Sequence, residues 1–246
     1  MRGDLPMTFD QQEFDIRFEW GEHGVASLAP ISDVVIIVDV LSFSTSVEIA
    51  VSRGAIVFPY RWRDGRAVDY AASMGAVLAV NRPHIGFSLS PTSLMDIPNG
   101  YRIVLPSPNG ATLTLAAKPT PVIAGCLRNA RAVALAANRY GRKVAVIAAG
   151  ERWKDDGSLR PSFEDLVGAG AIISYLAGVK SPEATAAEAA FRAVEPRLGD
   201  VLHQCGSGKE LITQGFANDV ILASELNVSE CVPVLIDDAY RLSRWL

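Results

Sequence analysis

The sequence predicts an α/β protein, a three-layer α/β/α arrangement whose sheet is largely parallel or mixed and carries an antiparallel edge strand. Three observations lead there. Short apolar runs alternate with helical stretches along most of the chain, the pattern of strands joined by crossover helices. With 246 residues and an apolar fraction of 49%, the chain has enough greasy surface for a substantial core. The segment FDIRFEW near the start alternates instead, setting Phe14, Ile16, Phe18 and Trp20 at period two.

In chain order, Phe14 to Trp20 reads as an edge strand with one face buried and the other solvated, suited to pairing with a second copy of the chain. VVIIV is followed by STSVEIAVSRG, AIVFPY by RAVDYAASMG, and AVLAV by a polar loop. RIVLP leads to ATLTLAAK, PVIAGC to NARAVALAANRYG, and KVAVIAAG to SFEDLVGAGAIISYLAG. Gly141 and Gly178 stand where helix C-caps are expected, and Pro182 after Ser181 opens a helix at its favoured first position. Ser181 to Leu226 is mainly helical, and CVPVLI gives a last strand. No linker or repeat divides the chain, so residues 1–246 are expected to form one domain.

Composition excludes several functions. A net charge of −4 gives no basic footprint for nucleic acid. No apolar run approaches the roughly 20 residues that span a bilayer. MRGDLPMTFDQQEFD lacks the apolar core of a signal peptide, so the expected setting is the cytoplasm, away from membranes. Cys126, Cys205 and Cys231 are odd in number and far apart, which suits reduced buried thiols rather than disulfides or zinc. GSGKE at 206–210 is not a phosphate loop, because the first glycine position is His203 and the residue after the lysine is Glu210. An aspartyl-nucleophile phosphatase with a second Asp two residues on is disfavoured by Leu41. His23, His84 and His203 have no nucleophile signature beside them, and no GxGxxG follows a strand.

The chemistry is expected outside the carboxyl ends of the strands, where ligands of open α/β sheets collect. DVLSFSTS follows VVIIV, PSPNGATL follows RIVL, and AAGERW follows KVAVI. Asp39 comes after five apolar residues with no turn signal until Ser42, and a buried acid there needs a partner or a metal. Glu151 is placed the same way, with Arg152 able to pair with it. Acids beside helix N-termini suit Mg²⁺ together with a phosphate, since Mg²⁺ takes oxygen ligands and shares substrate oxygens. Structural roles account for other residues equally well: Thr45 and Glu48 as a capping box, Asn109-Gly110 as a turn and cap, Ser162 with Asp165 as a capping pair, Glu164 as a first-turn acid. Asp237-Asp238 reads as a solvated turn.

Taken together, VVIIVDVLSFSTSVEIAVSRGA, PSPNGATL, AAGERW, RPSFEDLVGAGAII and SGKELITQGFANDVILASELNVSECVPVL resemble, in order and spacing, the ComB-type 2-phosphosulfolactate phosphatases. The resemblance runs from about residue 30 to 236. It implies a Mg²⁺-dependent enzyme that cleaves a small-molecule phosphate ester, 2-phosphosulfolactate, to sulfolactate and phosphate, a step of coenzyme M biosynthesis. On this reading Asp39 and Glu151 are catalytic. Asp39, Glu151, Glu164 and Asp165 supply metal ligands, and Ser42, Ser44, Thr45, Asn109, Gly110 and Arg152 bind substrate. The chain departs from the family pattern at Ser42, where an arginine is usual, at Pro108 and Ala111 around Asn-Gly, and in the loop NRPHIGFSLSPTS. A trianionic substrate asks for cations, and Arg82, Arg128, Arg152 and Arg160 are available. The departures leave two alternatives, a binding protein for a phosphorylated or carboxylated metabolite and a hydrolase with another substrate.

Overall fold

The computed structural model describes residues 10–62, 64–82 and 85–242. The elements run β1 (Ile16–Trp20), α1 (Gly21–Leu28), β2 (Val34–Val38), α2 (Phe43–Ser52), β3 (Ile56–Tyr60), α3 (Arg66–Ser73), β4 (Val77–Leu78), β5 (Arg102–Pro106), α4 (Gly110–Ala116), β6 (Val122–Gly125), α5 (Ala130–Tyr140) and β7 (Val144–Ala148). A small hairpin, β8 (Glu151–Arg152) and β9 (Leu159–Arg160), precedes α6 (Phe163–Ile173). Helices α7 (Pro182–Val194), α8 (Leu198–Gln204), α9 (Gly206–Thr213) and α10 (Ala217–Ser224) follow, and β10 (Pro233–Ile236) and β11 (Ala239–Leu242) close the order. Pro182 begins α7 as expected, with the Ser181 side chain accepting from the Ala184 amide.

The fold is α/β with a mixed nine-stranded sheet in the order β1-β7-β2-β6-β10-β11-β3-β5-β4. Strands β1, β7, β2 and β6 are mutually parallel, as are β3, β5 and β4. Between the two groups β10 pairs antiparallel with β6 and β11, and β11 pairs antiparallel with β3. Alternate residues sort the layers: Val34, Ile36, Val38, Val144 and Val146 pack under α5, α6 and α7, while Val35, Ile37, Ala145, Ile147, Val57, Ile103 and Leu105 pack against α1, α2 and α4. Both parallel groups therefore share one core around α2 and α4. In a flat sheet at about 4.8 Å per strand, β5 would stand roughly 24 Å from β2. The Gly110 amide just after β5 nonetheless reaches Asp39 at 2.8 Å, so the sheet coils around those helices. The joints that let it coil are narrow, one residue pair at Val234–Ile123 and one at Tyr240–Val57.

Several local expectations change. The antiparallel element is the interior β10–β11 pair; β1 lies at the edge but runs parallel to β7. Nor is the second face of β1 solvated. Arg17 is fully buried because α1 folds back and the Ile31 carbonyl and Ser32 hydroxyl take its Nη2, each at 2.9 Å. The outer edge of β1 is taken up by the segment before α7, with Ile16 N donating to Val179 O and Ser181 N to Ile16 O. Gly178 has φ +140° but lies beyond the end of α6, whereas Gly141 does end α5. Strand β11 lies past the last strand expected, and Asp237-Asp238, both at positive φ, form the two-residue turn before it. Among the described residues no helix is long and apolar enough to cross a membrane.

Candidate active site

Strand β2, buried on both faces, delivers Asp39 at its carboxyl end, only 6% exposed. Its Oδ1 accepts from Phe43 N at 3.1 Å, and its Oδ2 from Gly110 N at 2.8 Å, so one carboxylate ties the starts of α2 and α4. Position 110 has to be glycine: a Cβ there would lie 2.4 Å from Phe43 Cδ1 and 2.7 Å from Asp39 Oδ2. Next to it, Asn109 Nδ2 donates to Glu151 Oε2 at 3.0 Å, linking the β5 end to the β7 end. Glu151 follows Gly150, which has φ +66° and donates its amide to Asp165 Oδ2 at 2.9 Å. Asp165 also accepts from Val40 N at 2.7 Å through Oδ1 and from the Ser162 hydroxyl at 2.8 Å through Oδ2. Three strand ends and α6 are thus locked by two buried aspartates.

Electrostatics set the protonation. Burial pushes the Asp39 carboxyl up to about 6, partly offset by the Phe43 and Gly110 amides, with the Glu164 charge adding to the rise. Burial raises Glu151 to about 7, and the charges of Asp39 and Glu164 push the same way. Asp165 is raised well above the usual carboxylate range, first by burial and then by Asp39 and Glu164. The Arg160 charge offsets part of the rise at Glu151, and the excess of acids still calls for positive charge from a ligand or metal.

A cavity of about 220 Å³ opens over this centre, walled by Asp39, Ser42, Arg82, Ser107, Asn109 and Glu151 on the strand side and by Ser207, Glu210 and Gln214 of the α9 region opposite. A second cavity of about 460 Å³, containing His23, Arg152 and Leu159, shares Pro108, Asn109 and Glu151 with it. Of the residues expected to act, Asp39, Ser42, Asn109 and Glu151 face the first cavity. Ser44 and Thr45 do not: both are wholly buried, and their hydroxyls donate to Ile37 O and Val40 O, because α2 starts at Phe43 and not after Thr45. The capping box is likewise absent; Glu48 pairs with Arg128 at 2.6 Å. Gly110 spends its amide on Asp39, and Asp165 accepts three protein donors, which makes it a clip. Glu164 is buried beside it, its charge felt by Asp39 and Glu151. Arg152 points away from Glu151 to Glu22 at 2.6 Å, across the second cavity.

Among the remaining arginines, Arg128 is committed to Glu48 and Glu225, and Arg160 donates to Ser207 at 3.2 Å. Only Arg82 reaches the Asp39 cavity, where it meets the Ser42 hydroxyl at 3.1 Å. It comes from the loop NRPHIGFSLSPTS, one of the places where the chain departs from the family pattern. The GSGKE segment, no phosphate loop, starts α9 and supplies Ser207 and Glu210 to the cavity wall. His203 bonds to Gly199 O, His23 lies at the second cavity, and His84 falls outside the described residues.

Among the described residues no three His, Cys, Asp or Glu side chains stand close enough to form a ready-made metal cage. The donors at the cavity are oxygens of Asp39 and Glu151, which fits Mg²⁺ held by one or two carboxylates with water and substrate oxygens completing its shell, and does not fit tetrahedral zinc.

Asp39 and Glu151 thus face one cavity at the strand ends of the α/β sheet, where small polar ligands of such enzymes collect. The chain belongs to the 2-phosphosulpholactate phosphatase family, whose model matches residues 24–238, and it is thereby a phosphatase of the phosphoric monoester hydrolase class. It is 32% identical over 210 residues to a probable 2-phosphosulfolactate phosphatase of Carboxydothermus hydrogenoformans, covering 81% of this chain and 84% of that protein. It is 30% identical over 219 residues to the 2-phosphosulfolactate phosphatase of Methanothermobacter thermautotrophicus, covering 86% and 90%.

Proposed function

We propose that the chain is a cytoplasmic, Mg²⁺-dependent phosphatase that hydrolyses 2-phosphosulfolactate to sulfolactate and phosphate, the reaction type of coenzyme M biosynthesis. The observation that carries this reading is the cavity over Asp39 and Glu151, sized for a small ester and walled by their carboxylates. Asp39 and Glu151 would hold the metal, with Glu164 behind them adding negative charge. Bound there, Mg²⁺ supplies neutralising charge at the phosphoryl oxygens.

The chain's own groups account for the rest. Glu151, whose Oε2 is held by Asn109, takes the proton from the attacking water as the new O–P bond forms. The P–O ester bond breaks on the opposite side, and the departing alkoxide takes its proton from solvent. Asp39, fixed by two amides, keeps its carboxylate aimed into the cavity. The hydroxyls of Ser42 and Ser107 lie on the cavity wall within reach of a bound ester.

The test is phosphate release from 2-phosphosulfolactate and a panel of phospho-carboxylates, with Mg²⁺ or with EDTA. Turnover of 2-phosphosulfolactate that disappears in EDTA is expected. Metal-independent turnover, or tight binding of the intact ester with no hydrolysis, would sink the reading. Rapid acid quenching with labelled ester separates direct attack by water from an aspartyl-phosphate at Asp39, which would leave label on the protein.

A further inference from the structure

We propose that Arg82, held in place by Asp219, binds an anionic group of the substrate in the Asp39 cavity. This rests on the phosphatase reading and adds a side-chain cation to the metal of that reading, because a pocket walled by Asp39 and Glu151 repels a phosphate ester unless positive charge is built in. Among the described residues Arg82 is the arginine that lines the pocket, and its side chain is 19% exposed. Its Nη2 donates to Leu89 O at 2.6 Å and to the Ser42 hydroxyl at 3.1 Å, and lies 3.1 Å from Asp219 Oδ2. The guanidinium carbon stands 5.0 Å from the Phe216 ring centre.

Asp219 is itself 1% exposed at the start of α10, and its Oδ1 accepts from the Ser90 hydroxyl at 2.6 Å and from Thr92 N at 3.1 Å. One buried acid therefore anchors the loop that carries Arg82 and orients the guanidinium. The anchoring leaves a donor over: Arg82 Nε is buried with no hydrogen-bond partner. A guanidinium fixed by Asp219, Leu89 O and the Ser42 hydroxyl, in the wall of the cavity that Asp39 and Glu151 also line, is prepared for a phosphoryl, carboxylate or sulfonate oxygen. An ion pair that merely fastens a loop has no need to face the cavity. Arg82 is a binding residue and Asp219 a positioning residue.

The experiment compares the full chain with Arg82→Ala, Arg82→Lys and Asp219→Asn. Binding of inorganic phosphate and of sulfolactate is measured by calorimetry, and kcat and KM are measured with 2-phosphosulfolactate. Loss of a charge-assisted contact predicts a fall of about 10- to 100-fold in kcat/KM for Arg82→Ala, at roughly 1.4 kcal/mol per tenfold. Added guanidinium at millimolar concentration should restore part of that activity, while Arg82→Lys, which keeps charge but loses the fork, stays impaired. Asp219→Asn should raise KM more than it lowers kcat.

Weaker phosphate binding with unchanged sulfolactate binding assigns Arg82 to the phosphoryl group; the converse assigns it to the acid groups of the alcohol half. Where Arg82→Ala does not fold, Arg82→Lys carries the comparison. If the wild-type chain turns over no 2-phosphosulfolactate but the variants bind phosphate more weakly, the inference stands and the substrate reading falls. If both ligands bind the Arg82 variants as tightly as the wild type, or the wild type binds neither, the inference is overturned.

Discussion

Replacing Glu151 with Gln should make the protein more stable and inactive at once. Burial disfavours the charge of this carboxyl and pushes it up to about 7 in the folded chain from its ordinary 4.5. A carboxyl whose folded pKa is raised favours the native state while protonated, so its contribution is present below pH 4.5 and is lost as pH rises through 7. Relative to a neutral side chain, Glu151 lowers native-state stability by about 1 kcal/mol at pH 5, where it ionises only in the unfolded chain, and by about 3 kcal/mol at pH 8. Gln keeps the acceptor for Asn109 Nδ2 and removes the charge. Urea unfolding in EDTA should therefore show Glu151→Gln ahead of the wild type by a margin that grows with pH. Mg²⁺ at pH 8 should raise the midpoint of the wild type more than that of the variant, and turnover should fall by about 10²-fold or more, the scale of a lost general base. A stability difference that stays constant from pH 5 to pH 8, or shrinks, would refute the reasoning.

Three further outcomes follow from the same geometry. Gly110→Ala drives a Cβ against Phe43 and Asp39 and should lower kcat by about 10²-fold through misplacement of the carboxylate, with far-UV circular dichroism unchanged. Asp165→Ala strands the Val40 and Gly150 amides in the core and should destabilise the fold by about 2 to 4 kcal/mol in urea, a larger loss than Asp165→Asn. Cys126, Cys205 and Cys231 are free and buried, with burial pushing Cys126 and Cys205 up to about 12 and Cys231 higher still. None should react with a thiol reagent at pH 8 until the chain is unfolded, and a fast-reacting native thiol would contradict that burial.

How much could be read from the residues depended on how local the signal was. Asp39 was legible because an acid after five apolar residues has no cheap explanation, and Glu151 for the same reason after VIAAG. Hydroxyls misled: Ser44 and Thr45 sit in a helix start rich in polar residues, yet such side chains readily bond to nearby backbone, which is how both are used. Arg82 and Asp219 could not be paired from sequence, because nothing in a polar loop announces a partner 137 residues away on another helix. The clue in hindsight is Asp219 itself, an acid in the first turn of a helix and directly followed by the apolar run Val220-Ile221-Leu222.

The coiling of the sheet was hidden for a different reason. Three antiparallel steps, β6 to β10, β10 to β11 and β11 to β3, reverse the strand direction between the parallel groups. In a flat sheet the carboxyl ends of β2 and β5 would therefore point opposite ways, and Asn109-Gly110 could never approach Asp39. The alternation of strand and helix before residue 180 suggests a largely parallel or mixed sheet, with the acids and the Asn-Gly turn gathered outside its strand ends. They do gather, but the last strands of the chain bring them together. Tyr240, wholly buried in β11, packs edge-on against Phe43 at 6.2 Å between ring centres. Its hydroxyl lies 2.8 Å from Thr114 Oγ1, which in turn donates to Gly110 O. With that proton spent on Gly110, Tyr240 is the donor to Thr114, and the C-terminal hairpin thereby sets the height of the helix turn whose first amide holds Asp39. The site is local in space and global in sequence, so no segment short of the hairpin at 233–242 could complete it.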